Sequence, residues 1–225
     1  MVENNTNNII KEDDFQYEKV KGNQLSRMWH SFKKRKVAVL GLVIVIFYVL
    51  VAIFADRLAP YDPTKQDLIH MLETPSADHI LGTDEVGRDL FSRIIYGARI
   101  SMKVGFMAVG IAFAIGVPLG IISGYFGGKV DMLIMRAMDI LLAFPGILLS
   151  IVFVSILGPS LDNAILSVGI YTVPNFARTA RSETLAIRNN EYIEASKAVG
   201  SKDFRIIFSH ILLNIVAPMI IMSTL

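Results

Sequence analysis

Apolar positions in this chain gather into long uncharged runs. Val37–Ala55 has 19 residues without a charge, Val104–Gly128 has 25 and Ile140–Leu161 has 22. Asn163–Ala177 and Ile211–Leu225 have 15 each. A helix rises about 1.5 Å per residue, so roughly 20 residues cross a hydrocarbon core about 30 Å thick. The first three runs meet that length, the fourth approaches it, and the fifth is cut by the end of the sequence. The pattern predicts an all-α integral membrane protein that stops inside its fifth span and whose natural gene product is longer. The first run is not a cleaved signal, because 36 residues precede it and its apolar part is itself too long.

The polar stretches between the runs suggest three regions. Residues 1–24 are Asn-rich and lack hydrophobic periodicity, which predicts a disordered tail. Residues 25–99 start with Leu25, Met28, Trp29 and Phe32 at helical spacing beside Lys33-Lys34-Arg35-Lys36. That is the pattern of an interfacial helix, with a plain juxtamembrane anchor as the simpler reading. The basic cluster places the N-terminus in the cytoplasm. The loop 56–99 then lies outside, and 178–210, with six basic residues, lies inside. In the outer loop Leu90, Phe91, Ile94, Ile95 and Ala98 predict a short elbow helix, supported by Asp84/Arg88 and Asp89/Arg93. Residues 100–225 hold the remaining spans.

Within the second run, Ala108, Ala112, Gly116, Gly120 and Gly124 recur every four residues. Such a small-residue ridge lets another helix backbone approach closely, although membrane helices are also glycine-rich in general. Pro118, Pro145, Pro174 and Pro218 fall in or near spans two to five and predict bends there. Ser150, Ser155, Ser167, Thr172 and Asn175 are candidates to face a pathway, although serine and threonine hydroxyls also bond their own helix.

Composition narrows the chemistry. Mean hydropathy is +0.51, 53% of residues are hydrophobic and 19% are charged, which fits a membrane protein. There is no cysteine, so thiol chemistry and Cys-ligated metals are excluded. The formal net charge of +2 does not suggest nucleic-acid binding, and the four histidines form no metal motif. The runs contain no charge, with Lys103, Asp139 and Asp162 only at their edges, which argues against an ion-coupled carrier. No phosphate-binding loop is present: around Gly128-Lys129, Ser123 takes the first glycine position and Val130 the hydroxyl position. Energy for transport would therefore come from another polypeptide.

The stretch after the fourth run has helix signals of its own. Asn190 is placed to cap a helix with Glu191 and Glu194 in its first turn. Tyr192, Ala195, Ser196 and Val199 share one face, and Gly200 suits a left-handed end. Ser201 is placed to cap the next helix, which carries Asp203 and runs into span five. A short helix with small residues on one face fits a partner's groove, or is an ordinary surface helix.

Two stretches carry a resemblance. Glu194-Ala195-Ser196 followed by Gly200, then His210-Ile211-Leu212-Leu213, resembles the EAA loop of inner-membrane subunits of binding-protein-dependent ABC importers. Ser196, His210 and Leu213 depart from the family's second Ala, its Ile and its Pro. His79-Ile80-Leu81-Gly82-Thr83-Asp84, Gly87-Arg88-Asp89, Ser92-Arg93 and Tyr96-Gly97-Ala98-Arg99 resemble the C-type permeases of dipeptide and oligopeptide importers, as does Leu58-Ala59-Pro60-Tyr61-Asp62-Pro63.

The resemblance implies a type I (MetI-like) ABC importer transmembrane domain of six spans, five of them present here. It implies a homologous B-type permease, two cytoplasmic ATPases that bind ATP-Mg and dock on the EAA loop, and an extracytoplasmic binding protein that delivers the solute. This chain would hold no cofactor and no metal. The docking set would be Glu191, Tyr192, Glu194, Ala195, Ser196, Val199 and Gly200. Dipeptides, longer peptides, glutathione and nickel chelates are carried by closely similar permeases.

Overall fold

The computed structural model describes residues 32–224, and they are helical apart from one long loop. The expected tail at 1–24 and all of the expected interfacial helix except Phe32 lie outside the described residues. Two compact units are separated between Phe54 and Ala55. The first contains α1 (Lys36–Ile53), an apolar helix most of whose residues are exposed. The second contains α2 (Ala55–Leu58), α3 (Leu90–Phe126), α4 (Gly128–Ala143), α5 (Gly146–Leu157), α6 (Leu161–Arg188), α7 (Glu191–Ala198) and α8 (Asp203–Met222).

By length and composition α1, α3 and α8 can each cross a membrane, and the bent pair α4–α5 makes a fourth candidate. The fourth uncharged run forms the first part of α6, a helix of 28 residues whose last two turns and a half carry Arg181, Glu183 and Arg188.

The core is built on the contact between α3 and α6. Ala108, Ala112, Gly116, Gly120 and Gly124 are all buried along one side of α3. A Cβ added to Gly120 would lie 2.3 Å from the Ala177 carbonyl oxygen and 2.7 Å from the Ala180 Cβ. At Gly116 it would meet Phe176 and Val173, and at Gly124 it would meet Thr184 and the Arg181 carbonyl. Gly169 of α6 answers in turn against Ala108 and Ile111 of α3. Positions rise together on the two helices, so α3 and α6 run parallel with their backbones in contact. Val117, Ile121 and Tyr125 of α3, Val173 and Phe176 of α6, and Ile206, Ile211, Ile215 and Met219 of α8 complete the core.

Parallel neighbours need a return connection, and α4–α5 supplies it. Gly127 (φ +66°) and Gly128 (φ +53°) turn the chain out of α3. The path then bends by 89° between α4 and α5. Pro145 lacks an N–H and pushes the preceding residue out of the helical region, and Phe144 accordingly adopts φ −91°, ψ 133°. The third run is therefore a broken helix, with the bend expected at Pro145. Pro118, Pro174 and Pro218, also expected to bend their helices, sit inside uninterrupted α3, α6 and α8. Inside α8, Ile207–Ile211 forms a π-helical turn.

The expected elbow helix is not separate: Leu90 to Phe126 is one helix, because Arg99–Lys103 contains no helix breaker. Its start is fixed by Asp89, whose Oδ2 accepts hydrogen bonds from Ser92 N (2.8 Å) and Ser92 Oγ (2.7 Å). Asp89 thus caps the helix and does not pair with Arg93, which reaches Asp84 instead. Asp84 also accepts from the backbone of Val86 and Arg88 and from Arg88 Nε (2.8 Å). Thr83 Oγ1 donates to His70 O and accepts from Glu73 N, tying the loop tip to its base. Gly82 and Gly87 take φ +76° and +73°, and a Cβ on Gly87 would lie 1.7 Å from the Asp67 carbonyl oxygen. The 79–93 motif is thus a set of loop-folding contacts. Burial would raise the Asp84 and Asp89 carboxyls, but hydrogen bonds from Arg88 and Val86 in the first, and from Ser92 and His79 in the second, hold both below the usual carboxylate range.

Two predictions follow from this packing. Gly120→Leu should destabilise the detergent-solubilised protein by about 1–3 kcal/mol through overpacking, read as a lower melting temperature, whereas Gly110→Ala should not, because a Cβ at Gly110 meets nothing within 4 Å. Asp84 and Asp89 have folded-state pKa values below their unfolded value of 3.8. Their contribution is therefore complete above that value and is lost as pH falls through the folded ones. Hydrogen-exchange protection of the 62–89 loop, corrected for intrinsic rates, should be full at neutral pH and reduced near pH 3.

Candidate functional site

The site expected from sequence centres on α7. Asn190 precedes it in extended conformation, but its side chain makes no capping bond; its carbonyl oxygen accepts from Ile193 N (2.9 Å) instead. At the other end Gly200 has φ +85°. Gly200 N donates to Lys197 O (2.9 Å) and Ser201 N donates to Ser196 O (3.1 Å), which ends the helix in a left-handed turn. The next helix starts at Asp203, so Lys202, not the expected Ser201, occupies the N-cap position of α8.

One side chain anchors α7. Ile193 is fully buried in the cluster formed by Tyr125 of α3, by α6 and by Ile206, Ile211 and Ile215 of α8. Most of the expected docking residues are exposed. Glu191, Glu194 and Ala195 are exposed, Tyr192 is 45% exposed and Val199 87% exposed; Ser196 is half-buried. Phe204 and Phe208 are also exposed, with rings 4.3 Å apart, and extend the apolar surface onto α8.

Polar ties beneath α7 join the helix ends. Arg188 Nη1 donates to the carbonyl oxygens of Gly124 (3.1 Å) and Tyr125 (3.0 Å), which lack partners within α3. Tyr125 Oη donates to Asp203 Oδ1 (2.6 Å), and Lys197 Nζ sits 5.2 Å from the centre of the Tyr125 ring. One level away, Arg181 makes a bidentate pair with Asp131 (2.5 and 2.6 Å), whose Oδ1 also accepts from Ser123 Oγ. These contacts fasten α3, α4, α6 and α8 to one another. The sequence reading missed Ile193, Arg188 and the Arg181–Asp131 pair. Two signals were available: the apolar residue between Tyr192 and Glu194 in a polar segment, and the recurrence of Arg178, Arg181 and Arg188 along one helix.

The five candidate pathway residues fall into two clefts. Ser150, Ser155 and Ser167 line a groove of about 600 Å³ between α5 and α6, with Tyr171 across it. Thr172 and Asn175 line a separate cleft of about 420 Å³ with Arg178 and Thr179. Ser167 Oγ donates to Ala164 O and Thr172 Oγ1 to Val168 O, so both hydroxyl protons are used within α6.

Ile193→Ala should cost about 2–5 kcal/mol, as truncations of fully buried isoleucines do. Val199→Ala should be nearly neutral, since its side chain is exposed. Thermal unfolding of the two variants side by side checks this.

Residues 116–225 match the family described as binding-protein-dependent transport system inner membrane component, and residues 23–75 match the N-terminal transmembrane domain of oligopeptide transport permease C. The chain is 50% identical over 193 residues to a dipeptide transport system permease protein of Alkalihalophilus pseudofirmus, covering 86% of this chain and 64% of that one. It is 42% identical over 207 residues to the dipeptide permease of Haemophilus influenzae, covering 89% and 70%. A glutathione transport system permease of Pectobacterium atrosepticum is 40% identical over 194 residues, covering 86% and 64%. The chain thus spans about two thirds of the length of these relatives. With several helices apolar and long enough to cross a membrane, and identity of this extent along its length, the chain belongs to the family of binding-protein-dependent transport system inner membrane components.

Proposed function

We propose that this protein is one permease subunit of an ATP-driven importer of di- and oligopeptides, and that α7 is where cytoplasmic ATPases grip it. The observation that carries this reading is the two-sided character of α7: Ile193 is locked into the helix core, while Glu191, Tyr192, Glu194, Ala195 and Val199 face outward. A force applied to the outer side is delivered to α3, α6 and α8 through one buried side chain and the stiff turn at Gly200. The N-terminus is cytoplasmic, which puts α7 on the cytoplasmic side and the 59–89 loop outside, facing a solute-binding protein. A homologous permease completes the pathway. In this reading the chain divides into a tail at 1–24, an N-terminal region at 25–99 and the transport domain from residue 100. Peptide is favoured over glutathione because the relatives named for dipeptides include the 50% and 42% identical ones.

The test is co-purification and reconstitution. The tagged protein should bring down a homologous permease and two ATPases, and only the full assembly with its binding protein should take up peptide into proteoliposomes. Replacing Glu194 with Lys or Gly200 with Val should lower uptake about tenfold or more, the scale of a lost coupling interaction of 1–3 kcal/mol, while ATP hydrolysis and membrane insertion persist. Peptide uptake by the isolated chain, or fully coupled uptake in both variants, contradicts the proposal.

A further inference from the structure

The runs of this sequence carry no charge, yet folding brings a charged pair into the bundle. Arg178 Nη2 donates to Asp139 Oδ1 at 2.7 Å, joining α6 to α4. Its depth follows from the register of α6 on α3. Ala177 meets Gly116 and Gly120, and Arg181 N meets Gly120. Arg178 is therefore level with Gly116–Gly120, the middle of the uncharged stretch Val104–Gly128. An ionised side chain at that depth is costly in lipid, so it faces either the protein interior or water.

Two arginines one turn apart on α6 show how differently such a charge is handled. Arg181 is saturated: both Nε and Nη2 pair with Asp131, which also takes the Ser123 hydroxyl. Its job is to hold helices together. Arg178 makes one hydrogen bond, and the two side chains are 50% and 49% exposed. A single-point, half-exposed ion pair contributes little to stability. Most of the donor fork of Arg178 is unengaged among the described residues, and that fork matches a carboxylate in two-point geometry.

The surroundings suit such a ligand. Arg178 lines the 420 Å³ cleft together with Thr172, Asn175, Phe176 and Thr179. The Asn175 side chain is exposed and makes no hydrogen bond among the described residues, so its amide is available as a second donor. Phe176 supplies an apolar wall. The threonine hydroxyl protons are committed to backbone carbonyls of α6, which fixes those side chains along the cleft.

We propose that Arg178, assisted by Asn175, is a carboxylate-binding station in the transport pathway, and that Asp139 holds the guanidinium in place until the carboxylate of the solute displaces it. The inference deepens the import reading and rests on it: every peptide with a free C-terminus carries the group that Arg178 would recognise.

The chain has no cysteine, so one can be introduced without background. In the assembled transporter in lipid nanodiscs, Thr179→Cys is labelled with an anionic and a cationic methanethiosulfonate of similar size, and the extent of labelling of this chain is read by mass. Rates are normalised to those on a free thiol. The anionic reagent should react about tenfold faster, since a positive cleft concentrates anions. Adding Arg178→Gln should abolish the preference, and Arg178→Lys should keep most of it, which separates charge from any general loss of structure. Dialanine should slow the anionic labelling, while its C-terminal amide at the same concentration should not. No labelling by either reagent, equal rates, a preference that survives Arg178→Gln, or equal protection by the two dipeptides overturns the proposal. Labelling needs no transport cycle, so failure of the import reading, seen as absent uptake, gives a different result from failure of this one.

Discussion

The structure depends on the backbone contact between α3 and α6. Lipid offers no hydrophobic drive for helices to associate, so close packing and hydrogen bonding must hold them together. The ridge from Ala108 to Gly124 removes the side chains that would keep the helices apart. Gly169, Ala177, Ala180 and Thr184 do the same on α6. Because the two helices are parallel, the chain has to return between them, and the broken α4–α5 segment is the consequence. The clefts beside α6, the ion pairs between α4 and α6 and the seat for Ile193 all take their positions from this one contact.

Polar groups then divide into two kinds. Arg181, Arg188, Tyr125, Asp131 and Asp203 satisfy one another or the carbonyls at the end of α3, and so make the helix ends behave as one body. Arg178 and Asn175 are left exposed in a cleft beside α6, with Asp139 pairing Arg178 at a single point. Saturated charges fasten helices, and half-engaged charges are free to exchange partners. α7 is joined to the fastened set through Ile193.

Much of this was legible in the sequence, and the failures have physical causes. Run lengths revealed the spans, and the four-residue spacing revealed the ridge, because helix geometry maps both directly onto a line of residues. Gly200 was readable since a left-handed turn favours glycine. The elbow helix was misread because an apolar stripe beside charges says nothing about whether the helix continues. The bend at Pro145 was legible because proline drives the residue before it, here Phe144, out of the helical region. Ser201 was assigned as a cap, but α8 begins one residue later than the pattern suggests, at Asp203. Asp139 and Arg178 looked like span edges because each terminates an uncharged run; their depth is set by how α4 and α6 lie against α3, and no linear pattern records that.

Under the proposed import reading, α7 and the α3–α6 core move as one body when an attached motor closes. Pulsed electron resonance distances between spin labels at Val199→Cys, the C-cap of α7, and Ile122→Cys on α3, in the assembled transporter with and without trapped ATP, test this. The distance should change by less than about 2 Å, the scale of small helix shifts, whereas a shift near one helical turn, about 5 Å, would show α7 sliding free of the core and contradict rigid coupling.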